Sequence, residues 1–363
     1  MVAEPLNQKS SPPGERPPGG SLKAKRRGFF STVAMDNMFF GATLIFGASV
    51  LVICVLIGIQ LWRASEPAMA RFGTGFLTSS VWNPSPDDPT KAVYGAWPFI
   101  WGTLMSSLLA LLLAVPIGLG TAIFLAELAP RWVRTPVSFM VELLAAVPSV
   151  VYGLWGRLVM VPWLQVRQDW MSTNLFESLQ GWEQGVARVP GLGWLADYGP
   201  SNLVNGAPLG QSMMAGALIL AIMVLPFITA VSREVIRAVP PSQREAAFGL
   251  GATRWEAIKG PVLRYARSGI IGAIILGLAR ALGETMAITM VIGNSDQPSV
   301  SLLAPASTLS SKLANEFNEA SGDQLAALMY LALVLFCITI IVNAFARFMI
   351  WNMARTVTGT ARE

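Results

Sequence analysis

The stretch PPSQREAAFGLGATRWEAIKGPVLRYARSG, residues 240–269, lies between two long apolar runs of the chain. It interrupts a sequence of 363 residues in which 53% are hydrophobic and only 13% are charged. A typical soluble domain carries about 25% charged residues. The composition therefore indicates a membrane protein, and the quoted stretch is a connection on one side of the bilayer.

Six runs are long enough to cross the hydrocarbon core of a bilayer, which needs about 20 predominantly apolar residues in a helix. They cover residues 39–62, 97–126, 137–162, 211–232, 268–293 and 325–350. The sequence thus predicts an all-α integral membrane protein with six transmembrane helices.

The segments around these runs give the predicted domain organisation. Residues 1–38 form a disordered basic cytoplasmic tail with the lead-in to the first span, because Pro, Gly and charged residues dominate its start. Residues 97–350 form the transmembrane domain. The expected connections are outer loops over 63–96, 163–210 and 294–324, a cytoplasmic coupling loop over 233–267 and a cytoplasmic tail over 351–363.

Lys and Arg residues set the orientation, because cytoplasmic segments of membrane proteins retain an excess of them. Most of those outside the spans fall in residues 1–38 and 233–267. We therefore expect a multi-pass membrane protein with both termini in the cytoplasm. The basic pI of about 9.5 then reflects contact with anionic membrane lipid, and nucleic acid is not an expected partner.

Several kinds of chemistry are excluded by the residue types. The chain has no histidine, and its two cysteines, Cys54 and Cys337, lie in different spans. Imidazole proton relays, His-ligated metals and His-based catalytic triads are therefore excluded, and the cysteines suggest neither a disulfide nor a thiolate metal site. The phosphate-cradling pattern G-x-x-x-x-G-K-[ST] does not occur in the sequence. If ATP drives this protein, another chain must hold the nucleotide.

The opening stretch predicts a short helix followed by a glycine turn. The pair Pro240–Pro241 ends the preceding helix. Ser242 and Glu245 fit the capping box S-x-x-E, so a new helix begins one residue after the serine. Two glycines that can adopt the left-handed conformation of a helix end follow within two turns, Gly249 and Gly251.

A second short helix is expected after this turn. Thr253 and Glu256 fit a second capping box, T-x-x-E, and Gly260 with Pro261 ends the helix. Each cap contributes only about 1 kcal/mol, which cannot hold two short helices in place without packing. Another surface must therefore cover them.

Small and basic side chains favour a docking partner as that surface. Ala246 and Ala247 allow close approach, while Arg244, Arg254 and Lys259 could pair with acidic groups on the partner. The alternative is a self-packed re-entrant loop that lies on the membrane face.

The same residues carry a resemblance to a known family. Glu245, Ala246, Ala247 and Gly251 stand at the spacing EAA-x-x-x-G, which resembles the EAA loop of permease subunits in binding-protein-dependent ABC importers. Where that family usually has Pro after Leu263, this chain has Arg264. The resemblance implies that the helix of the loop inserts into a groove of a cytoplasmic ATPase subunit and couples ATP hydrolysis to the membrane helices.

Further blocks narrow the resemblance. WPFIWGTL, LAVPIGLGTAIFLAEL, ELLAAVPSVVYGLWG and RALGETMAITMVIGN are similar to phosphate-specific permeases, the PstC and PstA pair, and fit the C-type subunit better. The resemblance implies an ABC type I importer permease that translocates inorganic phosphate. A permease for sulfate, molybdate or phosphonate remains an alternative, as does an ion-coupled secondary transporter or channel.

The resemblance also implies the partners. They are a second, PstA-like permease subunit, a homodimeric ATPase subunit and an extracytoplasmic phosphate-binding protein. ATP and Mg would be held by the ATPase, so this chain is expected to bind no cofactor and to be a transport subunit, not an enzyme.

Charged residues inside the spans are candidates for the substrate pathway, because ionisable groups at that depth are costly. Arg280 lies well inside the fifth span, and Glu284 follows one turn later, so an i, i+4 ion pair is expected. We interpret Arg280 as a phosphate-binding residue of the path and Glu284 as its modulator. A purely structural ion pair is the alternative. Glu142 and Arg157 are weaker candidates on either side of Pro148, which is expected to kink the third span.

Overall fold

The computed structural model describes residues 29–85, 91–187 and 200–359. The predicted disordered stretch 1–28 and the last part of the tail, 360–363, lie outside the described residues. The chain divides into two units, residues 1–56 and 57–363.

The described residues form helices, and no strand is found among them. In chain order the α-helices are α1 Phe29–Phe72, α2 Gly75–Thr78, α3 Trp97–Ile123, α4 Arg131–Ala146, α5 Ser149–Trp155, α6 Val161–Trp170, α7 Phe176–Ala187, α8 Met213–Arg237, α9 Pro241–Gly249, α10 Arg254–Ala257, α11 Leu263–Leu282, α12 Met286–Val291, α13 Leu309–Glu316 and α14 Gly322–Gly359. Short π-helical turns cover Phe124–Leu128, Gly156–Met160, Met171–Leu175 and Ile258–Val262.

Five helical stretches are long and apolar enough to cross a membrane. They are Met35–Phe72, Trp97–Leu128, Met213–Arg237, Arg254–Leu282 and Gly322–Trp351. A bent pair, Arg131–Ala146 with Ser149–Glu183, makes a sixth span if its two parts are counted as one. The prediction of an all-α membrane protein is confirmed.

The third predicted span, 137–162, is wrong as a single helix. The chain bends there by 92°, far more than the expected kink, because α4 ends at Ala146 and α5 begins at Ser149. Val147 takes an extended conformation before Pro148. A proline disfavours the helical conformation of the residue before it, so Pro148 separates two helices.

The fifth predicted span, 268–293, is corrected at both ends. Its helix α11 continues without interruption from α10 through the π turn Ile258–Val262. At the other end α11 stops at Leu282, and the short α12 begins at Met286. The Glu284 carboxylate accepts a hydrogen bond from the Ala287 backbone N–H (3.1 Å), a local bond that starts a new helix in competition with the old one.

In the first unit, the described residues 29–56 form the first part of α1. Residues 29–38, the predicted lead-in to the first span, are helical and belong to α1. The apolar side chains described in this part are exposed; the exposed fraction of Phe46, for example, is 73%. Exposed apolar side chains around the whole helix are typical of a membrane span.

In the second unit, α8 is the central helix. Side chains on several of its faces are buried, including Ile219, Met223 and Ile228. Small residues let neighbouring helices approach it closely: a Cβ at Gly118 of α3 would lie 3.3 Å from Ile228, and one at Gly277 of α11 would lie 2.9 Å from it. Close packing across small residues stabilises helix pairs in membranes.

A buried lysine that the sequence analysis did not single out joins several segments of the second unit. The Lys312 Nζ donates to both Asp296 carboxylate oxygens, at 2.7 and 2.8 Å, and also pairs with Glu316. It lies over the rings of Trp82 and Phe99, at 5.0 and 5.2 Å from their centroids. Lys312 thus links the segment before α3 to α13.

Replacing Gly102 of α3 by alanine should destabilise the second unit. A Cβ at Gly102 would lie 2.0 Å from the Ser307 carbonyl oxygen, so the segment leading into α13 would have to move away from α3. We expect a loss of about 2 kcal/mol, as for other overpacked sites, and a lower midpoint of thermal unfolding in detergent. Gly120→Ala in the same helix is the control, because nothing lies within 4 Å of its Cβ. Equal midpoints for the two variants would contradict the packing described.

Candidate docking surface and translocation path

Arg244 fixes the base of α9 to the membrane helices. Its guanidinium donates to the carboxylate of Glu127, in the π turn that follows α3, with a shortest distance of 2.6 Å between Nη2 and Oε1. It also donates to the carbonyl oxygens of Val239 (2.6 Å) and Ile236 (3.0 Å). Those carbonyls lie at the end of α8, where helical partners are lacking, and basic side chains commonly satisfy them.

The expectation that the basic side chains here pair with acids on a partner is therefore wrong for Arg244. Arg244 is engaged within the chain, and Arg254 donates to the Glu127 backbone carbonyl (3.2 Å). The sequence analysis did not single out Glu127. Its position next to the end of an apolar run resembled an ordinary surface charge, and its partner lies far away in sequence.

The far end of α9 presents apolar side chains to solvent. The exposed fraction is 48% for Phe248 and 90% for Leu250, and Glu245 and Ala246 are exposed as well. Ala247 is half-buried. We call the surface formed by Glu245, Ala246, Phe248 and Leu250 the α9 tip. An exposed apolar group beside small residues is a typical binding surface for a protein partner.

The predicted capping box of Ser242 and Glu245 is wrong. The helix begins at Pro241, and no side-chain cap is present at its start. Proline suits the first position of a helix, because its missing N–H is not needed there and its φ is already helical. Ser242 is consequently the second residue of α9 and not its N-cap.

The glycine turn and the second capping box are confirmed. Gly251 has φ +82°, the left-handed conformation that closes the helix, whereas Gly249 is the last helical residue. The Thr253 hydroxyl accepts from the Glu256 backbone N–H, and the Glu256 carboxylate accepts from the Thr253 backbone N–H (2.8 Å). Hydrogen bonds from the Thr253 hydroxyl and backbone lower the pKa of Glu256. The cap is therefore intact at neutral pH and is lost only as the pH falls through that lowered pKa.

The expected end of the second helix at Gly260 and Pro261 is wrong. Both residues lie inside the π turn Ile258–Val262, which joins α10 directly to α11. The wider turn accommodates a proline, which lacks the N–H that an α-helix interior requires. The glycine turn is thus followed directly by the start of the next span.

Glu142 forms an ion pair with a residue that the sequence analysis did not identify. Its carboxylate accepts from Arg233 Nη2 (2.9 Å), and the same nitrogen donates to Glu234 (2.7 Å). Arg233 belongs to α8 and its side chain is only 7% exposed. The pair joins α4 to α8, so Glu142 has a structural partner in this conformation.

Arg280 and Glu284 do not form the expected i, i+4 ion pair, since α11 ends between them at Leu282. Glu284 caps α12 instead. Arg280 lies in the last turn of α11 and is partly buried, and its Nε atom is buried without a hydrogen-bond partner. A buried guanidinium nitrogen without an acceptor can bind an anion.

Arg157 is exposed on the segment after α5, and its Nη1 lies 3.5 Å from the Met290 carbonyl oxygen. Among the residues that the structure describes, no ion pair or side-chain hydrogen bond joins any two of the four predicted pathway residues. Those are Glu142, Arg157, Arg280 and Glu284. The sequence thus identified four charged residues within the predicted spans, but the structure does not bring them together in one cluster.

An open cavity of about 380 Å³ lies beside the break between α11 and α12. Its polar lining includes Thr285, Ser310 and Asn318. The Ser310 hydroxyl donates to the Glu284 carbonyl oxygen (2.7 Å), so α13 holds the broken segment in place. Broken helices that line a cavity are common at the substrate sites of transporters.

The apolar spans indicate a multi-pass membrane protein, and a broken helix beside a cavity is typical of transporters. Comparison with known proteins gives its family. The chain belongs to the binding-protein-dependent transport system inner membrane components, whose family model matches residues 114–351. It is thus a transport subunit of the inner membrane and not an enzyme.

Its relatives align with it over most of the chain. It is 42% identical to a phosphate transport system permease protein PstC of Haemophilus influenzae over 92% of this chain and 99% of the relative. A PstC protein of Mesorhizobium japonicum is 41% identical, over 93% of this chain and 97% of the relative. A PstC protein of Xylella fastidiosa is 38% identical, over 98% of this chain and 99% of the relative.

Removing the Glu127 carboxylate should loosen α9. Glu127→Ala leaves Arg244 with its backbone acceptors only, at a cost of about 2 kcal/mol for a charged hydrogen-bonded pair. We expect amide hydrogen exchange in residues 241–253 to become at least about tenfold faster. Glu245→Ala is the control, because this exposed carboxylate on the same helix makes no contact of that kind. Unchanged exchange in Glu127→Ala would show that the ion pair does not hold α9.

Proposed function

We propose that this chain is the C-type permease subunit of an ATP-driven, binding-protein-dependent importer of inorganic phosphate. The relatives named as phosphate permeases support the substrate, since they align over nearly the whole chain. The observation that carries the proposal is α9, whose base is bound to the membrane helices while its apolar tip is exposed.

The geometry of α9 supports a route by which a conformational change of the ATPase reaches the membrane helices. A homodimeric ATPase subunit, which holds ATP and Mg, binds the α9 tip and pulls on it when its nucleotide sites close. Because Arg244 binds both Glu127 and the end of α8, that movement reaches α3 and α8 together. Ser242, Glu245, Ala246, Ala247 and Gly249 belong to this helix, while Gly251, Thr253 and Glu256 fix the turn behind it.

The remaining parts of the assembly follow from the same proposal. A second permease subunit completes the path, and an extracytoplasmic phosphate-binding protein delivers the anion. The distribution of Lys and Arg supports an arrangement with both termini and the loop 233–267 in the cytoplasm.

Arg280 is the residue that we assign to the anion in the path. Guanidinium groups suit phosphate because they offer several donors in a planar fork, and the Nε atom of Arg280 has no partner of its own. The Glu284 carboxylate is free to approach Arg280 only if its hydrogen bond to the Ala287 N–H breaks. Its proposed modulation of Arg280 therefore requires a second conformation of the broken segment.

Replacement of Arg280 by glutamine should abolish most phosphate uptake without affecting assembly. We expect at least a tenfold loss, because one charged hydrogen-bonding group contributes about 1.5–3 kcal/mol. The readout is labelled phosphate uptake by proteoliposomes with ATP inside and binding protein outside. Arg131→Gln is the matched control and should retain most uptake, since it removes an exposed arginine that is not among the predicted pathway residues. Normal uptake by Arg280→Gln, with normal assembly, would remove Arg280 from the path.

The same vesicles test the function itself. The proposal predicts uptake that requires internal ATP and is not suppressed by excess sulfate or molybdate. Suppression by one of these anions would change the substrate but keep the ATP-driven permease. Uptake driven by an ion gradient without ATP would refute the proposal that the protein belongs to an ATP-driven importer.

Gly251 gives a separate test of the turn behind α9. Gly251→Val should uncouple ATP hydrolysis from uptake, because a left-handed conformation costs a β-branched residue about 1–2 kcal/mol or more. Nothing lies within 4 Å of its Cβ, so the effect comes from the backbone alone. Gly251→Asn is the control at the same position, since asparagine tolerates this conformation. Equal coupling in both variants would show that the turn geometry does not matter.

A further inference from the structure

A groove at the start of α11 is not used by any step described so far. It has a volume of about 370 Å³ and is lined by Gln243, Gly260, Pro261, Arg264 and Tyr265. Tyr265 is 56% exposed, and the lining is mostly apolar apart from the charge of Arg264. The groove therefore has a mostly apolar lining that contains one cation, Arg264.

Arg264 does not stand alone. Arg267 lies three residues further along α11, on the same face of the helix. Both side chains are exposed, and neither makes an ion pair or hydrogen bond among the residues that the structure describes. Arg244, by contrast, is engaged with Glu127. Two cations without an acidic partner on one helix face attract an anion.

The depth of these cations indicates which anion. The apolar part of α11 begins at Gly269, and Arg264 lies about 7 Å before it along the helix, at about 1.5 Å per residue. The headgroup region of a bilayer is roughly 5–8 Å thick on each side of the hydrocarbon. Arg264 and Arg267 are therefore at headgroup level, where the phosphates of lipids lie.

We propose that this groove binds the headgroup of an anionic phospholipid. The phosphate lies between Arg264 and Arg267, and Tyr265 packs against the glycerol and the first methylenes of the acyl chains, as aromatic residues do at the membrane interface. Basic pockets beside membrane helices bind anionic headgroups in this way. The bound lipid would rest against Gln243 of α9, so the site adjoins the base of the helix that carries the exposed tip. This inference does not depend on the identity of the transported substrate.

Native mass spectrometry of the full-length protein tests this proposal. The protein is purified in mild detergent and given equal amounts of phosphatidylglycerol and phosphatidylcholine. We expect the wild type to retain phosphatidylglycerol selectively, and the double variant Arg264→Gln/Arg267→Gln to bind it about tenfold or more weakly. Arg131→Gln is the matched control. It removes an exposed cation from another helix start, without touching the groove, and should retain the lipid as the wild type does.

Three results would overturn the proposal. One is equal retention of phosphatidylglycerol by the double variant and the wild type. Another is displacement of the lipid from the wild type by inorganic phosphate, which would make free phosphate the occupant. The third is loss of an ATPase subunit from the double variant with the lipid retained, which would assign the surface to a protein partner. If the double variant does not fold, the single variants Arg264→Gln and Arg267→Gln decide by the same criteria.

Discussion

The ion pair between Arg244 and Glu127 is the interaction on which the account of this protein depends. Without it, α9, a helix of nine residues, would depend on its packing against α10 and the π turn Ile258–Val262, and isolated helices of that length are not stable in water. With it, one guanidinium joins the end of α3, the carbonyl groups at the end of α8 and the base of α9. A force applied to the α9 tip then reaches two membrane helices, one of which is the central helix of the second unit.

The membrane environment explains why the helices break where they do. Each backbone polar group at membrane depth needs a partner within the protein. At Pro148 the chain changes direction by 92°, and at Glu284 a carboxylate provides the hydrogen bond that the next helix lacks. Ser310 of α13 donates to the Glu284 carbonyl oxygen, so α13 supplies a hydrogen-bond partner for the backbone at the second break. The second break thus remains hydrogen-bonded, and it lies beside an open cavity.

The sequence was sufficient for the features that depend on composition and on local pattern. Apolar runs gave the all-α membrane fold, Gly251 gave the left-handed turn, and Thr253 with Glu256 gave a capping box that the structure contains. It failed where a tertiary contact decides between local alternatives. The predicted capping box of Ser242 is absent, because Pro241 occupies the first helical position. Gly260 and Pro261 do not end a helix but lie in a π turn within a longer one. Glu127, the acidic partner of Arg244, and Glu142, which pairs with Arg233, lie about a hundred residues away from them, so no local pattern could identify these pairs.

The central claim is that the α9 tip is the place where an ATPase subunit binds, and site-specific photo-crosslinking tests it most directly. A photoreactive amino acid replaces Leu250, the most exposed of the apolar side chains at the tip, and the intact importer is irradiated in its membrane. The account predicts a crosslink to the ATPase subunit. Crosslinks only to lipid or to this chain itself, in a complex that still contains the ATPase, would contradict it.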